Sequence, residues 1–214
     1  MMKYQLVIFD WDGTLMDSVA RIVSSMQGAA LDCALRVPTA EAVRDIIGLS
    51  LHKAFPLLFG SLTAEEEAAM FAAYRRHYLE LNETPSPLFA GAADTIKGLH
   101  GNGYRLAVAT GKQRVGLDRV LAETRLGDYF HALRGADQAQ SKPHPLMLEQ
   151  ILDELKLDPA EAVMVGDSSY DLAMAEAIGM DRIGVTYGVH DSTKLCQHTP
   201  LTLIDDIRQL PNWL

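Results

Sequence analysis

Four short apolar runs constrain the fold of this chain more than any other feature of its sequence. Residues 6–9 read Leu-Val-Ile-Phe, and similar runs occupy residues 106–109 and 162–165, with a weaker one at residues 183–185. A strand with one solvated face alternates apolar and polar residues, whereas a strand buried on both faces of a parallel sheet is apolar throughout. The pattern predicts four buried parallel strands.

Helical segments separate these runs. Pro145 begins a segment that extends to about Lys156, and Gly101 and Gly103 end the segment before the second run. Strands that alternate with helices indicate an α/β fold with a mostly parallel sheet. With 214 residues, of which 48% are hydrophobic, the chain is long enough to bury a substantial core.

Residues 16–87 interrupt this alternation, because they contain helical patterns and no convincing strand. One helix is predicted over about residues 17–35, and another extends from a capping box at residues 63–66 (Thr-Ala-Glu-Glu) to about Leu81. A further helix start lies at residues 38–39, which are Pro-Thr. We therefore predict an inserted all-helical cap within an α/β core. The cap comprises residues 16–87, and the core comprises residues 1–15 and 88–214.

The charge balance limits the partners that the chain can have. The sequence holds 19 Lys and Arg residues against 28 Asp and Glu residues, for a net charge of -9, which argues against nucleic acid and anionic membranes as partners. No segment approaches membrane-spanning length, and the first apolar run is too short for a signal-peptide core. Cys33 and Cys196 have neither metal-type nor disulfide-framework spacing. We expect reduced thiols and a cytoplasmic location, and the oligomeric state stays open.

Polar side chains follow each of the main apolar runs, where the carboxyl ends of parallel strands meet and ligands bind. Two of these groups come directly after an apolar run, one follows a run after a single glycine, a fourth lies two residues after the first group, and two more lie nearby in the sequence. In chain order they are Asp10, Asp12, Thr110, Lys142, Asp167 and Asp171. If the sheet is parallel, these side chains converge at one edge.

Such a convergence has a chemical logic. The four carboxylates would repel one another and any phosphate, and Lys142 offsets only one of their charges. A divalent cation that prefers oxygen ligands, such as Mg²⁺, would offset two more. If Asp12 is kept protonated by its neighbours, the charges of protein and metal roughly cancel. Asp10 could then attack phosphorus, and Asp12 could protonate the departing alcohol and later deprotonate water.

Four segments in this order resemble the motifs of the haloacid dehalogenase superfamily, and in particular its phosphoglycolate phosphatase-like members with a helical cap. They are residues 10–15 (Asp-Trp-Asp-Gly-Thr-Leu), Thr110, residues 142–145 (Lys-Pro-His-Pro) and residues 166–171 (Gly-Asp-Ser-Ser-Tyr-Asp). The resemblance spans nearly the whole chain. It implies a Rossmann-like sheet under a mobile cap, a small phosphorylated metabolite as substrate and Mg²⁺ as cofactor.

The resemblance also implies roles for individual residues. Asp10 is the nucleophile and a metal ligand, Asp12 is the acid and base and supplies a backbone oxygen to the metal, and Asp167 completes the metal site. Asp171 acts behind these ligands and orients Lys142 or a metal-bound water. The catalytic and phosphate-binding residues are Thr110 and Lys142, with Gly13 and Gly111 also at the phosphate.

Two positions depart from the residues that commonly stand in these motifs. They are Trp11 and Gly111. Neither carries a group that the chemistry needs, so these departures concern the preference for a substrate and not the activity itself. Trp11 is interpreted as a packing residue, and Lys112 ranks below Thr110 as a site residue. In the cap, the loop of residues 48–50 is expected to meet the substrate. Candidate contacts to a distal anionic group of the substrate are His52, Lys53, Arg75, Arg76 and His77.

Several other functions use related residues. A 2-haloacid dehalogenase needs neither an acid at Asp12 nor a metal site, so Asp12 and Asp167 argue against it. A phosphosugar mutase needs the same core and differs only in the acceptor of the phosphoryl group. A receiver-type signalling module also holds an aspartyl-phosphate, but its phosphorylated aspartate follows a middle strand. A non-catalytic binding protein on a retained phosphatase fold is the remaining alternative.

Overall fold

Six parallel strands form one sheet in the computed structural model, which describes residues 3–214. The strands are β1 (Leu6–Phe9), β2 (Arg105–Ala109), β3 (Ala132–Arg134), β4 (Ala162–Gly166), β5 (Asp181–Val185) and β6 (Thr202–Ile204). Their spatial order is β3-β2-β1-β4-β5-β6, and every neighbouring pair is parallel. This order reverses direction at β1, as in a Rossmann-like sheet, and it confirms the predicted α/β fold.

Helices cover both faces of the sheet and fill the segment between β1 and β2. They are α1 (Val19–Asp32), α2 (Ala40–Ile46), α3 (Leu51–Phe59), α4 (Ala64–Arg76), α5 (Ala92–Gly101), α6 (Arg114–Thr124), α7 (Leu146–Leu155), α8 (Ser169–Glu176) and α9 (Ser192–Cys196). Among residues 3–214, no helix combines the length and the apolar character needed to cross a bilayer.

The two faces of the sheet explain why β1 is apolar at every position. Val7 and Phe9 pack in a cluster with residues of α5 and α6, whereas Leu6 and Ile8 pack with residues of α7 and α8. All four side chains are fully buried. Trp11 is also buried, and its indole N–H donates to Met16 Sδ at 3.4 Å, in agreement with its interpretation as a packing residue.

Helices α1 to α4 pack around a hydrophobic cluster of their own, which includes Phe55 and Met70. The start signals in the sequence act as expected: the Thr39 side chain accepts from Ala42 N at 3.1 Å, and Thr63 forms a reciprocal capping box with Glu66. This segment contains no β-strand within the described residues. The exact division into a core and a cap at residues 15 and 87 stays a prediction.

Some boundaries differ from the sequence predictions. Strands β3 and β6 were not predicted, because each spans three residues at an outer position of the sheet, which is too short to show a period. The first helix ends at Asp32 instead of Leu35, since Ala34 adopts a positive φ of 52°. The predicted helix to Leu81 ends at Arg76 and continues as a π-helical turn, His77–Leu81.

The cluster formed by α1 to α4 yields a stability prediction. Phe55 is fully buried and contacts Phe59 and Phe71, so Phe55→Ala should lower the free energy of unfolding by about 3–5 kcal/mol. Leu57 lies on the same helix and is 66% exposed, so Leu57→Ala should change the free energy of unfolding by less than about 0.5 kcal/mol. Urea unfolding of the two variants checks this difference, and equal effects would contradict the assigned packing.

Candidate active site

Three buried carboxylates meet at the carboxyl edge of the sheet. Asp10 and Asp167 follow the neighbouring strands β1 and β4, and the Asp10 N–H donates to Val165 O at 3.0 Å, which continues the ladder between them. Asp171 joins them from the first turn of α8. Carboxylate oxygens of the three residues lie within 4.8 Å of one another, and each residue is at most 1% exposed. The predicted convergence of these side chains is therefore present in the structure.

Lys142 lies between two of these carboxylates. Its ammonium is 2.8 Å from Asp10 Oδ1 and 2.5 Å from Asp171 Oδ1, and its side chain is completely buried. Burial alone would lower the pKa of Lys142, but the charges of Asp10 and Asp171 raise it above its ordinary value. The lysine is therefore held in its charged form and bridges the end of β1 to α8.

Asp10 is buried and contacts Lys142 through one of its two oxygens. Burial raises the pKa of Asp10 to about 7, the charge of Lys142 opposes this rise, and the nearby Asp171 adds to it. The ammonium lies 2.8 Å from Oδ1 and is the charged partner of that oxygen. Because a carboxylate has two oxygens and about four lone pairs, Asp10 can bind a cation or an electrophile while it keeps this contact.

Asp171 has its own partners at the start of α8. Its Oδ2 accepts from the Ser168 N–H at 3.1 Å and from Ser168 Oγ at 2.7 Å, which forms a capping box. A Cβ on Gly166 would lie 2.4 Å from Asp171 Cβ, so only glycine fits at the end of β4. These contacts orient Asp171 toward Lys142. The sequence predicted that Asp171 orients either Lys142 or a metal-bound water.

Asp167 is oriented by the backbone and by one hydroxyl group. Thr14 Oγ1 donates to Oδ1 at 2.8 Å, and the Val189 N–H donates to Oδ2 at 2.9 Å. Burial, with the charges of Asp10 and Asp171, raises the pKa of Asp167 well above its ordinary value. Gly13 has a φ of 88°, and a Cβ there would lie 2.1 Å from Asp167 Oδ2. The glycine therefore allows the loop after β1 to approach this carboxylate.

Asp12 contacts a second lysine, which the sequence analysis ranked low. Ser18 Oγ donates to Asp12 Oδ1 at 2.6 Å, and Lys112 Nζ lies 3.0 Å from Oδ2. Burial alone would lower the pKa of Lys112, but Asp12 raises it above its ordinary value. The ammonium also lies 4.9 Å from the centre of the Tyr78 ring in the helical insertion. Lys112 is thus a charged member of the site that its place in the sequence did not reveal.

The charges of the cluster fit a divalent cation. Four carboxylates (Asp10, Asp12, Asp167 and Asp171) face two ammonium groups, so two negative charges have no counterpart when all groups are ionised. Uncompensated buried charges are strongly unfavourable, which agrees with the raised pKa values of Asp10 and Asp167. Hard carboxylate oxygens are the ligands that Mg²⁺ prefers. The donor set and its charge therefore fit Mg²⁺.

Thr110 and Gly111 complete the edge of the sheet. Thr110 is 1% exposed, and its Oγ1 accepts from the Lys112 N–H at 3.2 Å, which leaves the hydroxyl proton free to donate. Gly111 lies under the loop between α2 and α3. A Cβ on Gly111 would be 2.5 Å from Gly48 O and 2.8 Å from Leu49 O, so the close approach of this loop depends on glycine.

Further contacts join the helical insertion to the sheet next to the site. The Ser50 N–H donates to Ser141 Oγ at 2.9 Å, directly before Lys142. The Tyr170 hydroxyl donates to Asp45 O at 2.8 Å, and the Asp45 carboxylate contacts Lys194. The loop of residues 48–50 therefore lies over the carboxyl edge of the sheet, and its contact with a substrate stays a prediction.

A cavity of about 1090 Å³ extends from the carboxylate edge into the space under the insertion, and Asp10, Asp12 and Thr110 line it. Of the five cap residues predicted to contact a distal group, only His52 and Arg75 line this cavity. Lys53 and Arg76 are exposed outside it, and His77 pairs with Asp32 at 2.8 Å. Arg119 of α6 also lines the cavity. In the sequence, Arg119 is an ordinary residue of an amphipathic helix, so no pattern predicts that it lines the cavity.

Comparisons with known proteins extend over almost the full chain. A family model described as haloacid dehalogenase-like hydrolase matches residues 7–185. Probable phosphatase IndB of Dickeya dadantii is 38% identical over 96% of this chain and 91% of its own length. Phosphoglycolate phosphatase 1 of Pseudomonas aeruginosa is 31% identical over 96% of this chain and 78% of its own. A crystal structure of a predicted phosphoglycolate phosphatase from Haemophilus somnus has a TM-score of 0.88 at 26% identity, and the match covers 99% and 98% of the two chains.

The contact between Gly111 and the loop of residues 48–50 yields a prediction. Gly111→Ala places a methyl group against backbone atoms, so it should lower the free energy of unfolding by about 1–3 kcal/mol. Gly98 lies in α5, and a Cβ added there would meet no atom within 4 Å, so Gly98→Ala should be neutral or stabilising by up to about 1 kcal/mol. Urea unfolding measures both, and a neutral Gly111→Ala would show that the loop does not rest on this residue.

Proposed function

The chain belongs to the haloacid dehalogenase-like hydrolases, and from this membership we propose that it is a Mg²⁺-dependent phosphatase that hydrolyses a small phosphomonoester through an aspartyl-phosphate on Asp10. The observation that carries the proposal is the buried cluster of Asp10, Asp167 and Asp171, whose carboxylate oxygens lie within 4.8 Å of one another, with the Lys142 ammonium against two of them. The name of the Pseudomonas relative makes 2-phosphoglycolate the first compound to test.

The first half of the reaction transfers the phosphoryl group to the protein. A carboxylate oxygen of Asp10 forms a bond to phosphorus while the bond from phosphorus to the alcohol oxygen breaks. Lys142 and the Thr110 hydroxyl donate to the phosphoryl oxygens, whose charge they partly neutralise. When bound, Mg²⁺ would be held by Asp10, Asp167 and the backbone oxygen of Asp12, and it would supply further charge neutralisation.

Asp12 donates a proton in the first half of the reaction and accepts one in the second half. It lines the cavity two residues after Asp10, and Ser18 and Lys112 hold its side chain in place. In its protonated form this carboxyl group donates a proton to the departing alcohol. The resulting carboxylate removes a proton from the water that attacks the aspartyl-phosphate. Inorganic phosphate leaves, and Asp10 is restored.

Removal of the nucleophile is the direct test. Asp10→Asn should lower phosphate release from every substrate by at least about 1,000-fold, because the amide oxygen cannot form the acyl-phosphate. Chelation of divalent metal should have a similar effect on the unchanged protein, and added Mg²⁺ should restore activity. Asp17→Asn is the matched control, since Asp17 is exposed outside the site. Release that persists in Asp10→Asn would exclude the proposed intermediate.

The role of Asp12 predicts a dependence on the leaving group. An alkyl alcohol needs a proton as it leaves, whereas 4-nitrophenolate leaves without one. Asp12→Asn should therefore slow formation of the phosphoenzyme from an alkyl phosphate by about 100- to 10,000-fold and affect 4-nitrophenyl phosphate much less. Rapid-quench measurement of the phosphoenzyme separates this step from its hydrolysis. Equal losses for both substrates would contradict the role of Asp12 as the acid.

A further inference from the structure

The cavity at the active site is larger than a phosphoryl group and a two-carbon acid require. Its volume of about 1090 Å³ lies just above the roughly 300–1,000 Å³ typical of pockets that enclose drug-sized ligands. It reaches from Asp10 and Thr110 to α4 and the following turn on one side, and to α6 on the other. The leaving group of the substrate is the part that would occupy this additional space.

Most of the wall beyond the carboxylate edge is apolar or aromatic. The insertion contributes Ile47, Phe71, Tyr74 and Leu79, and the core contributes Val115. Leu79 is 36% exposed and Val115 is 67% exposed, although both lie in the wall of a cavity. Apolar side chains from two separate parts of the chain thus line one space, and a ligand there would remove them from water.

Several charged groups in this wall already have protein partners. Lys112 contacts Asp12 at 3.0 Å, His52 contacts Glu67 at 2.7 Å, and Asp137 accepts from the Arg114 N–H at 2.7 Å. They are therefore poorly placed to bind a second charge on the substrate.

Two arginines in the cavity wall favour a competing class of substrate, one that is small and carries a carboxylate. Arg75 is exposed, and Arg119 Nε lies 3.6 Å from Glu123. Either guanidinium could bind a carboxylate on a small substrate. Such a substrate would, however, leave the apolar wall in contact with water, at a cost that grows with the exposed area.

We propose that the preferred substrate is a phosphomonoester whose alcohol part is bulky and mainly apolar, and that Phe71 and Leu79 of the insertion bind this part. The proposal rests on the phosphatase activity proposed above and specifies the substrate class of the same site. The phosphoryl group binds at Thr110 and Lys142, and the alcohol part extends between α4 and α6.

A series of primary alkyl phosphates tests this substrate class. Ethyl, butyl, hexyl and 3-phenylpropyl phosphate have leaving groups of nearly the same basicity, so their kcat/KM values compare binding of the alcohol part and not intrinsic reactivity. Each of the four added methylenes, when buried, is expected to raise kcat/KM about two- to fourfold, so hexyl phosphate should exceed ethyl phosphate about 16- to 250-fold. The second comparison is 2-phosphoglycolate, which has the same two-carbon length as ethyl phosphate and carries a carboxylate in place of the methyl group.

Matched variants locate the binding surface. Leu79→Asn and Phe71→Leu should reduce the ratio of hexyl to ethyl kcat/KM at least about threefold, because they remove apolar surface from the cavity. Leu81 is exposed in the same turn as Leu79, and Phe59 packs on Phe55 as Phe71 does, but neither lines the cavity. The controls Leu81→Asn and Phe59→Leu should leave the ratio unchanged.

The outcomes separate the inference from the function on which it rests. Rising kcat/KM with chain length, reduced by the two cavity variants alone, supports the inference. Phosphate release that does not rise with chain length, or that is greatest for 2-phosphoglycolate, overturns the inference and leaves the phosphatase in place. No Mg²⁺-dependent release from any compound overturns both.

Discussion

The ion pairs of Lys142 are the interaction on which the rest of the site depends. Its buried ammonium lies between Asp10 and Asp171, which come from the end of β1 and the first turn of α8. Without it, three carboxylates would share a space only a few ångströms wide, and burial of uncompensated charge is among the most destabilising arrangements in a protein. The buried Lys142, together with Lys112 beside Asp12, offsets part of the negative charge of this acidic cluster, and a divalent cation would offset the rest.

The helical insertion and the sheet contribute different parts of the site. The sheet brings the reactive groups together, because parallel strands all end at one edge. The helices between β1 and β2 have a hydrophobic cluster of their own and contribute most of the apolar wall of the cavity. Ser50 contacts the loop before Lys142, Asp45 contacts Tyr170 of α8, and Gly48 closely approaches Gly111 after β2. Most of the apolar wall and the buried carboxylates therefore come from different parts of the chain.

Much of the fold was predictable from local pattern. The β1 run matches Leu6–Phe9 at both ends, and the family resemblance and the α/β fold are confirmed. Strands β3 and β6 were missed because a three-residue strand carries too little pattern, and neighbouring strands determine its place. The roles assigned to the site residues stay predictions, although the structure brings Asp10, Asp167, Asp171 and Lys142 together.

By itself, the sequence determined which residue types follow each buried strand, because an apolar run and the carboxylate after it are local features. Only the tertiary structure decided which charges meet. It paired Lys112 with Asp12, brought Arg119 to the cavity and placed Gly111 beneath the loop after α2. These contacts join segments from separate parts of the chain, and side chains on an amphipathic helix or in a loop show no periodic sign of a distant partner. Two physical causes produce them. The neighbouring strands β1 and β2 bring Asp12 and Lys112 together, and the packing of the helical insertion over the carboxyl edge of the sheet encloses the cavity and covers Gly111. No local pattern encodes either arrangement.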